Sequence, residues 1–486
     1  MKFKETLPGV KLGIVALLVA IGGGFNFGFQ FVIINPSQSA FINFLNASLR
    51  DHYGLALSPV ELENIWSVIA AILYFGAIFG SMNIRFVAER FGRLHGLLAA
   101  FTLSTVAVLL SVLSYFVNSI ELYAISRFIL GYTFGLTMGL SGIYLTESSP
   151  KRCRGFVSMT IGVFIQIGTV AGSALSMPNL LGTNERWWLI YGIESIVLIA
   201  VTVPLLFVHD SPTYLYHKGD VSGCRAALAF FHACDPAGID AEYNEMRSHI
   251  DKEVKTVGMF KIFSDKAALR GTLVGSVITV AMTFTGIPVV GAFSVNILTN
   301  CGLDLLAASY GNLLLTVICT ISHVGATFII EHFGRRSLLL FSITSIIATN
   351  LTIFALMLAF ERLQYPWIGF LLVAAIALFL VFLATGAGPL CYFVTAELVG
   401  QRERSAAQSW NTLVQMISRS LILALFLPLK NALGGSFAYL TMFVAPLVFA
   451  VLVLYFYLPE TKNRNLKEVQ GAIHKLPKLN CLRRIK

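Results

Sequence analysis

The sequence predicts an all-α membrane protein whose twelve transmembrane helices form two six-helix halves, on three observations. Of its 486 residues 56% are hydrophobic and 12% charged, with a mean hydropathy of +0.76. A soluble domain carries about twice that share of charge. The apolar runs are each close to the roughly 20 residues that cross a bilayer as a helix, and the short alternating segments of a membrane β-barrel are missing. Finally, the charged pause ERFGRLH at 89–95 returns as EHFGRRS at 331–337.

In chain order the runs place spans near 12–34, 62–83, 95–117, 120–146, 155–178 and 187–208, then near 270–299, 307–330, 337–360, 366–395, 405–430 and 437–458. Residues 1–11 lack the short apolar core and cleavage site of a signal peptide, so the first span is expected to stay attached. The organisation is therefore a first half over 1–208, a linker over 209–266, a second half over 267–458 and a tail over 459–486. In the linker, CRAALAFFHA and AEYNEMRSHIDKEV suit short amphipathic helices.

Lys and Arg set the orientation. With both termini in the cytoplasm, Arg50, Arg186, Arg362 and Lys430 alone fall on outer loops. Arg127, Arg270 and Arg419 lie in or beside spans, and the rest of the 35 basic residues are inside. This asymmetry accounts for the net charge of +10 without a nucleic-acid partner. The basic tail KLPKLNCLRRIK either touches anionic lipid heads or stays solvated. Seven cysteines are scattered without a C-x-x-C pair, which suggests neither a disulfide framework nor a metal site. No nucleotide loop or nucleophile constellation appears, so neither an enzyme nor a cofactor is expected. Asn46-Ala47-Ser48 forms a glycosylation acceptor in the longest outer loop.

The halves repeat one another. Glu147 and Arg154 of ESSPKRCRG return as Glu397 and Arg404 of ELVGQRERS, and Asp210 of HDSPTY returns as Glu460 of PETKNR, each 250 positions later. A six-helix unit duplicated in parallel orientation is the plan of transporters that rock around a midplane site. Glu89, Arg90, Arg93, Glu147 and Arg154, with Glu331, Arg335, Arg336, Glu397 and Arg404, are then expected to form a cytoplasmic gate. Pairs at a wet rim are individually weak, which suits a door that must reopen. The competing reading is orientation alone, but orientation asks for no acids.

At this point the chain resembles the facilitative glucose-transporter family, sugar porters of the major facilitator superfamily. The resemblance rests on FGFQFVIINPSQ, RFILG, ESSPKRCRG, TGIP, GAGPLCYFVTAEL, QRERSAA and PETKNR. It implies the major facilitator fold and a plasma-membrane uniporter moving a hexose down its gradient, with the bilayer and a small-molecule substrate as partners and a monomer expected. Proton-coupled relatives carry an acid in the first span near an arginine of the fourth; here Gln30 takes that place beside Arg127. Glu194 of span 6 remains a possible carrier, although its distance from the outer end favours a wet vestibule contact.

The resemblance places the substrate site at Gln30, Gln166, Met282, Thr283, Tyr392, Gln415 and Arg419, with departures. The family's Q-Q-L-S-G-I-N is Met282-Thr283-Phe284-Thr285-Gly286-Ile287-Pro288. Its asparagine of span 8 falls on Cys319, its glutamate of span 10 on Ala384, and its glutamine of span 5 on Gly162, one turn from Gln166. Tyr392 replaces a tryptophan; Gln415 and Arg419 replace two asparagines. Sugar hydroxyls both donate and accept, so losing amides and an acid weakens such a site. Arg419 lies midway through a span, where an unpaired cation costs from about 2.5 kcal/mol upward. Either it pairs or snorkels, or it binds a polar or anionic substrate. His323 is expected to serve helix packing. Three readings follow: a hexose uniporter with a rebuilt site, a same-fold carrier of an organic anion such as urate, and a non-transporting sugar sensor.

Overall fold

In the computed structural model, residues 8–150, 153–232, 236–250, 262, 266–330, 333–399, 403–461 and 471 are described. Glu331 and the tail over 472–486 lie outside them, as do the side chains of Tyr392 and Glu397. Among the described residues every regular element is helical. Twelve helices among the described residues are long and apolar enough to cross a membrane: Val10–Val32, Pro59–Arg90, Arg93–Val117, Ile120–Ser148, Phe156–Leu175 and Trp187–Leu205, then Ala268–Asn300, Leu305–Ala326, Arg335–Leu363, Trp367–Cys391, Ala406–Leu433 and Gly435–Tyr457. They are spans 1 to 12 below. The end of the bundle where span 1 begins and span 12 ends is the terminal face; the opposite end is the far face.

Local chemistry marks the span ends. Ser58 accepts from the Glu61 amide while the Glu61 carboxylate takes the Ser58 amide, and Pro59 opens the helix, a complete capping box. Asn118, at φ 54°, stops span 3, and Ser119 caps span 4. Spans 2 and 4 then pack backbone to backbone. A Cβ on Gly131 would lie 1.8 Å from the Leu73 carbonyl oxygen, and one on Gly76 would lie 2.1 Å from that of Phe128. Without an oil–water driving force between helices, such close approach is what holds them.

Several spans are not regular. Wide π-helical turns open span 1 at Ile21–Phe25, span 10 at Leu383–Ala387 and span 12 at Leu440–Val444. Span 7 breaks at Gly286, φ +100°, just before Pro288. The exposed Thr285 carbonyl at the break accepts from Asn350 Nδ2 at 3.0 Å, and Asn350 in turn accepts from the Tyr439 hydroxyl. Broken backbone inside a membrane is tolerated when its freed groups are satisfied in this way.

Two features fall outside the span pattern. On the terminal face, helices Pro212–His217, Val221–His232 and Pro236–Ile250 follow span 6, in the stretch where short amphipathic helices were expected. On the far face, the expected loop after span 1 is largely a helix, Gln38–Tyr53. It buries Phe41 and Phe44 against Trp66, Tyr123 and Trp187, with Phe41 stacked on Trp66 at 5.1 Å. Asn46 is exposed on that helix, whereas Ser48 of the same triplet is fully buried and accepts from the Ile120 amide at 2.9 Å.

Candidate functional site

Arg127, Gln30 and Glu194 form a buried chain through the first half. Arg127 Nη1 donates to Gln30 Oε1 at 2.8 Å, and Gln30 Nε2 donates to Glu194 Oε2 at 2.5 Å. The three are at most 3% exposed. Gln30 thus has both ends of its amide engaged by partners of the first half. The expected wet vestibule for Glu194 is not what the structure has. Trp187, Tyr191 and Leu198 lie on its helical face and are buried with it. Distance from the helix end said nothing about which face the carboxylate occupies.

Between the halves, three of the expected substrate residues converge. Met282 Sδ lies 3.7 Å from Gln415 Nε2 and 3.9 Å from Arg419 Nη2. The Arg419 guanidinium sits over the ring of Tyr74 from span 2, 5.9 Å from its centre. A cation over a ring face is favourable and more so when desolvated, and Arg419 is only 5% exposed. Thr283 does not join them: it is fully buried and its hydroxyl donates to the Thr279 carbonyl at 3.0 Å. Gln166 is half-buried on span 5, one turn from Gly162, whose surroundings are open. Ala384 is buried, and Cys319 and His323 contact each other along span 8, with His323 Nδ1 2.9 Å from the Cys319 carbonyl.

On the terminal face the repeated charges have partners within their own halves. Arg93 Nη2 meets Glu147 at 2.9 Å, and Ser211 Oγ donates to the other Glu147 oxygen. Asp210 accepts from the amides of Arg93 and Leu94, capping the helix that the charged pause opens. Glu460 does the same for Arg335 and Arg336, at 2.8 and 3.2 Å. The duplication read from spacing is therefore a duplicated cap: a carboxylate at a helix N-terminus. Asp210 and Glu460 belong with the charges named from sequence. Glu89 pairs with Arg85, Arg90 lies over Phe86 and Phe91, Arg154 donates to the Ser149 carbonyl, and Arg336 donates to that of Tyr455. Arg404 begins the helix of span 11.

On the far face the two halves are tied directly. Asn35 donates to the Gly291 carbonyl, Ser294 Oγ and Asn312 Oδ1 and accepts from the Val295 amide at 2.9 Å. Asn312 also donates to Ser173 at 2.6 Å. Lys430 reaches Glu63 at 3.4 Å and Asn296 at 2.8 Å; Asn431 donates to Asn64. Deeper in, Ser67 donates to the Leu423 carbonyl and Ser420 to that of Ala71. Apart from Lys430, placed on the outer side by its charge, sequence reasoning did not single out these residues. Their only signal was a few amides isolated in apolar spans, where polar side chains usually bond across helices.

Residues 15–472 match the family model described as "Sugar (and other) transporter". The chain is 27% identical over 470 residues to the facilitated glucose transporter member 9 of solute carrier family 2 from Homo sapiens, covering 96% of this chain and 86% of that protein. It is also 27% identical over 462 residues to member 1 from Gallus gallus, covering 93% and 92%. A partially occluded inward-open structure of the xylose transporter XylE from E. coli superposes with a TM-score of 0.77 at 20% identity, over 94% of this chain and all of that one. The resemblance in fold is thus to the major facilitator arrangement.

Proposed function

The chain belongs to the sugar (and other) transporter family, and on that premise we propose that it is a facilitative uniporter carrying a hexose, such as glucose or fructose, by alternating access. The observation that carries this reading is the far-face join from Asn35 to Lys430 lying over the cluster of Met282, Gln415 and Arg419. It has the form of one closed door above a site between two halves. On the Lys and Arg bias the terminal face is cytoplasmic and the far face is outside; membership of the transporter family supports the plasma membrane as its location. Domain limits follow the sequence reading, with the helices over 212–250 as the linker. Exposed Asn46 is the glycan acceptor, modified before Ser48 is buried.

Uniport is supported by the Arg127–Gln30–Glu194 chain. Glutamine cannot load a proton, and the geometry uses Glu194 as an acceptor that balances Arg127. Protonating it would strand a buried cation, which is strongly unfavourable. Initial uptake rates in sealed vesicles are therefore expected to be unaltered by an ionophore that collapses the proton or sodium gradient. Loss of accumulation would assign Glu194 to coupling.

The inner door is formed by the duplicated charges. Arg93→Ala with Arg335→Ala is expected to lower net flux several-fold while surface expression stays near normal, since the Arg93–Glu147 pair contributes about 1 kcal/mol at a partly wet rim. Unchanged flux in the double variant would leave these charges with orientation alone.

One observation favours a second reading. The Arg419 guanidinium offers five donors and a fixed charge to the cluster, which suits a carboxylate, an enolate or another delocalised anion such as urate. Parallel uptake of glucose, fructose, a polyol, urate and dehydroascorbate separates the two.

A further inference from the structure

Apart from the central cluster, the far face holds a cavity of about 190 Å³ between the outer ends of spans 7, 9, 11 and 12. Ile297, Met357, Phe360 and Phe426 supply apolar walls, and Lys430 and Glu361 the charges. The two charges are not equivalent. Both Glu361 oxygens are already engaged, one by the Ser436 amide at 3.2 Å and the other by its hydroxyl at 2.9 Å. The Lys430 ammonium has three donors and, among the described residues, two acceptors, Asn296 at 2.8 Å and the more distant Glu63 at 3.4 Å. Lys430 therefore keeps one N–H for an incoming acceptor, while Glu361 is held back on the cavity wall by Ser436.

We infer that this cavity binds a small carboxylate with an aromatic or branched apolar body, its carboxylate on Lys430. Size agrees: an apolar cavity of about 150 Å³ accepts benzene, so this one takes a ring plus a carboxylate. A bound anion shares Lys430 with Glu63, the group that ties span 2 of the first half to span 11 of the second. The occupant is held more tightly where Glu63 has moved away, and by linkage it weakens the far-face join. Binding stands on the cavity alone; its effect on the door rests on the alternating-access reading.

The test uses the full chain in lipid nanodiscs, with benzoate as probe and benzyl alcohol as its neutral isostere, read by calorimetry and thermal shift. Benzoate is expected to bind about tenfold more tightly than benzyl alcohol, the worth of one charge-assisted hydrogen bond. Lys430→Met should erase that difference, and Glu63→Gln should tighten benzoate about threefold by removing the competing carboxylate. Arg419→Asn should leave benzoate binding as it is. Equal affinity for the two probes overturns the inference, as does a Glu63→Gln variant that binds benzoate no better. Loss of benzoate binding in Arg419→Asn also overturns it, by assigning the anion to the central cluster. Should Lys430→Met fail to fold, the probe pair and Glu63→Gln decide the matter alone. In sealed vesicles, failure of external benzoate to alter flux while binding persists would count against the door reading and leave the site intact.

Discussion

Glu194→Leu is expected to destabilise the first half by about 1–3 kcal/mol, the cost of leaving the buried Gln30 amide donor without its acceptor. Arg127 is 1% exposed and reaches the carboxylate through Gln30, so the change also removes the acid at the end of its hydrogen-bond chain. Folded protein at the cell surface should fall to a small fraction of the parent level. The triple variant Arg127→Leu, Gln30→Leu and Glu194→Leu should recover most of it, because a wholly apolar replacement leaves none of the three groups buried and unpaired. Surface labelling and thermal unfolding in detergent measure both. Normal surface levels of the single variant would show that Glu194 is not holding Arg127 in place. If such a variant also lost any sensitivity to a proton gradient, the carboxylate would be a carrier and uniport would fall.

Arg419→Asn is expected to weaken uptake of an anionic substrate by about 10–100-fold in KM, since hydrogen bonds to a charged group contribute about 1.5–3 kcal/mol each. Hexose uptake should improve by about 2–10-fold, as an amide that both donates and accepts adds roughly 0.5–1.5 kcal/mol per hydroxyl bonded. Gln415 lies one turn away and Met282 is shared between the two side chains, so the exchange alters the centre of the cluster. Parallel tracer uptake of urate and fructose by parent and variant reads both changes. If neither substrate responds, Arg419 serves the contact with Tyr74 that joins spans 2 and 11, and the anion reading is lost.

Span lengths and the duplication were legible in the sequence. The helical bounds fall within a few residues of the apolar runs, except that span 2 continues to Arg90 where the run was expected to end near 83. That agreement has a local cause: the bilayer sets how many consecutive apolar residues a crossing helix needs, whatever its neighbours are. The recurrence of Asp210 as Glu460 was visible as spacing, although its role as a pair of helix caps was not. Of the residues expected to bind substrate, Met282, Gln415 and Arg419 do meet, because positions 415 and 419 share a face of one helix.

Three-dimensional packing settled the rest. Thr283 follows Met282 directly, yet about 100° of helical rotation turns its hydroxyl to the Thr279 carbonyl instead of the cluster. Glu194 is buried because the face it shares with Trp187 and Tyr191 packs inward. Asn35 finds Ser294 and Asn312 in the other half, and Lys430 finds Glu63. A sequence carries the length and the amphipathic pattern of each helix within its own window. Which polar side chain meets which depends on the rotation and depth of two helices far apart in the chain, and only their mutual packing determines those.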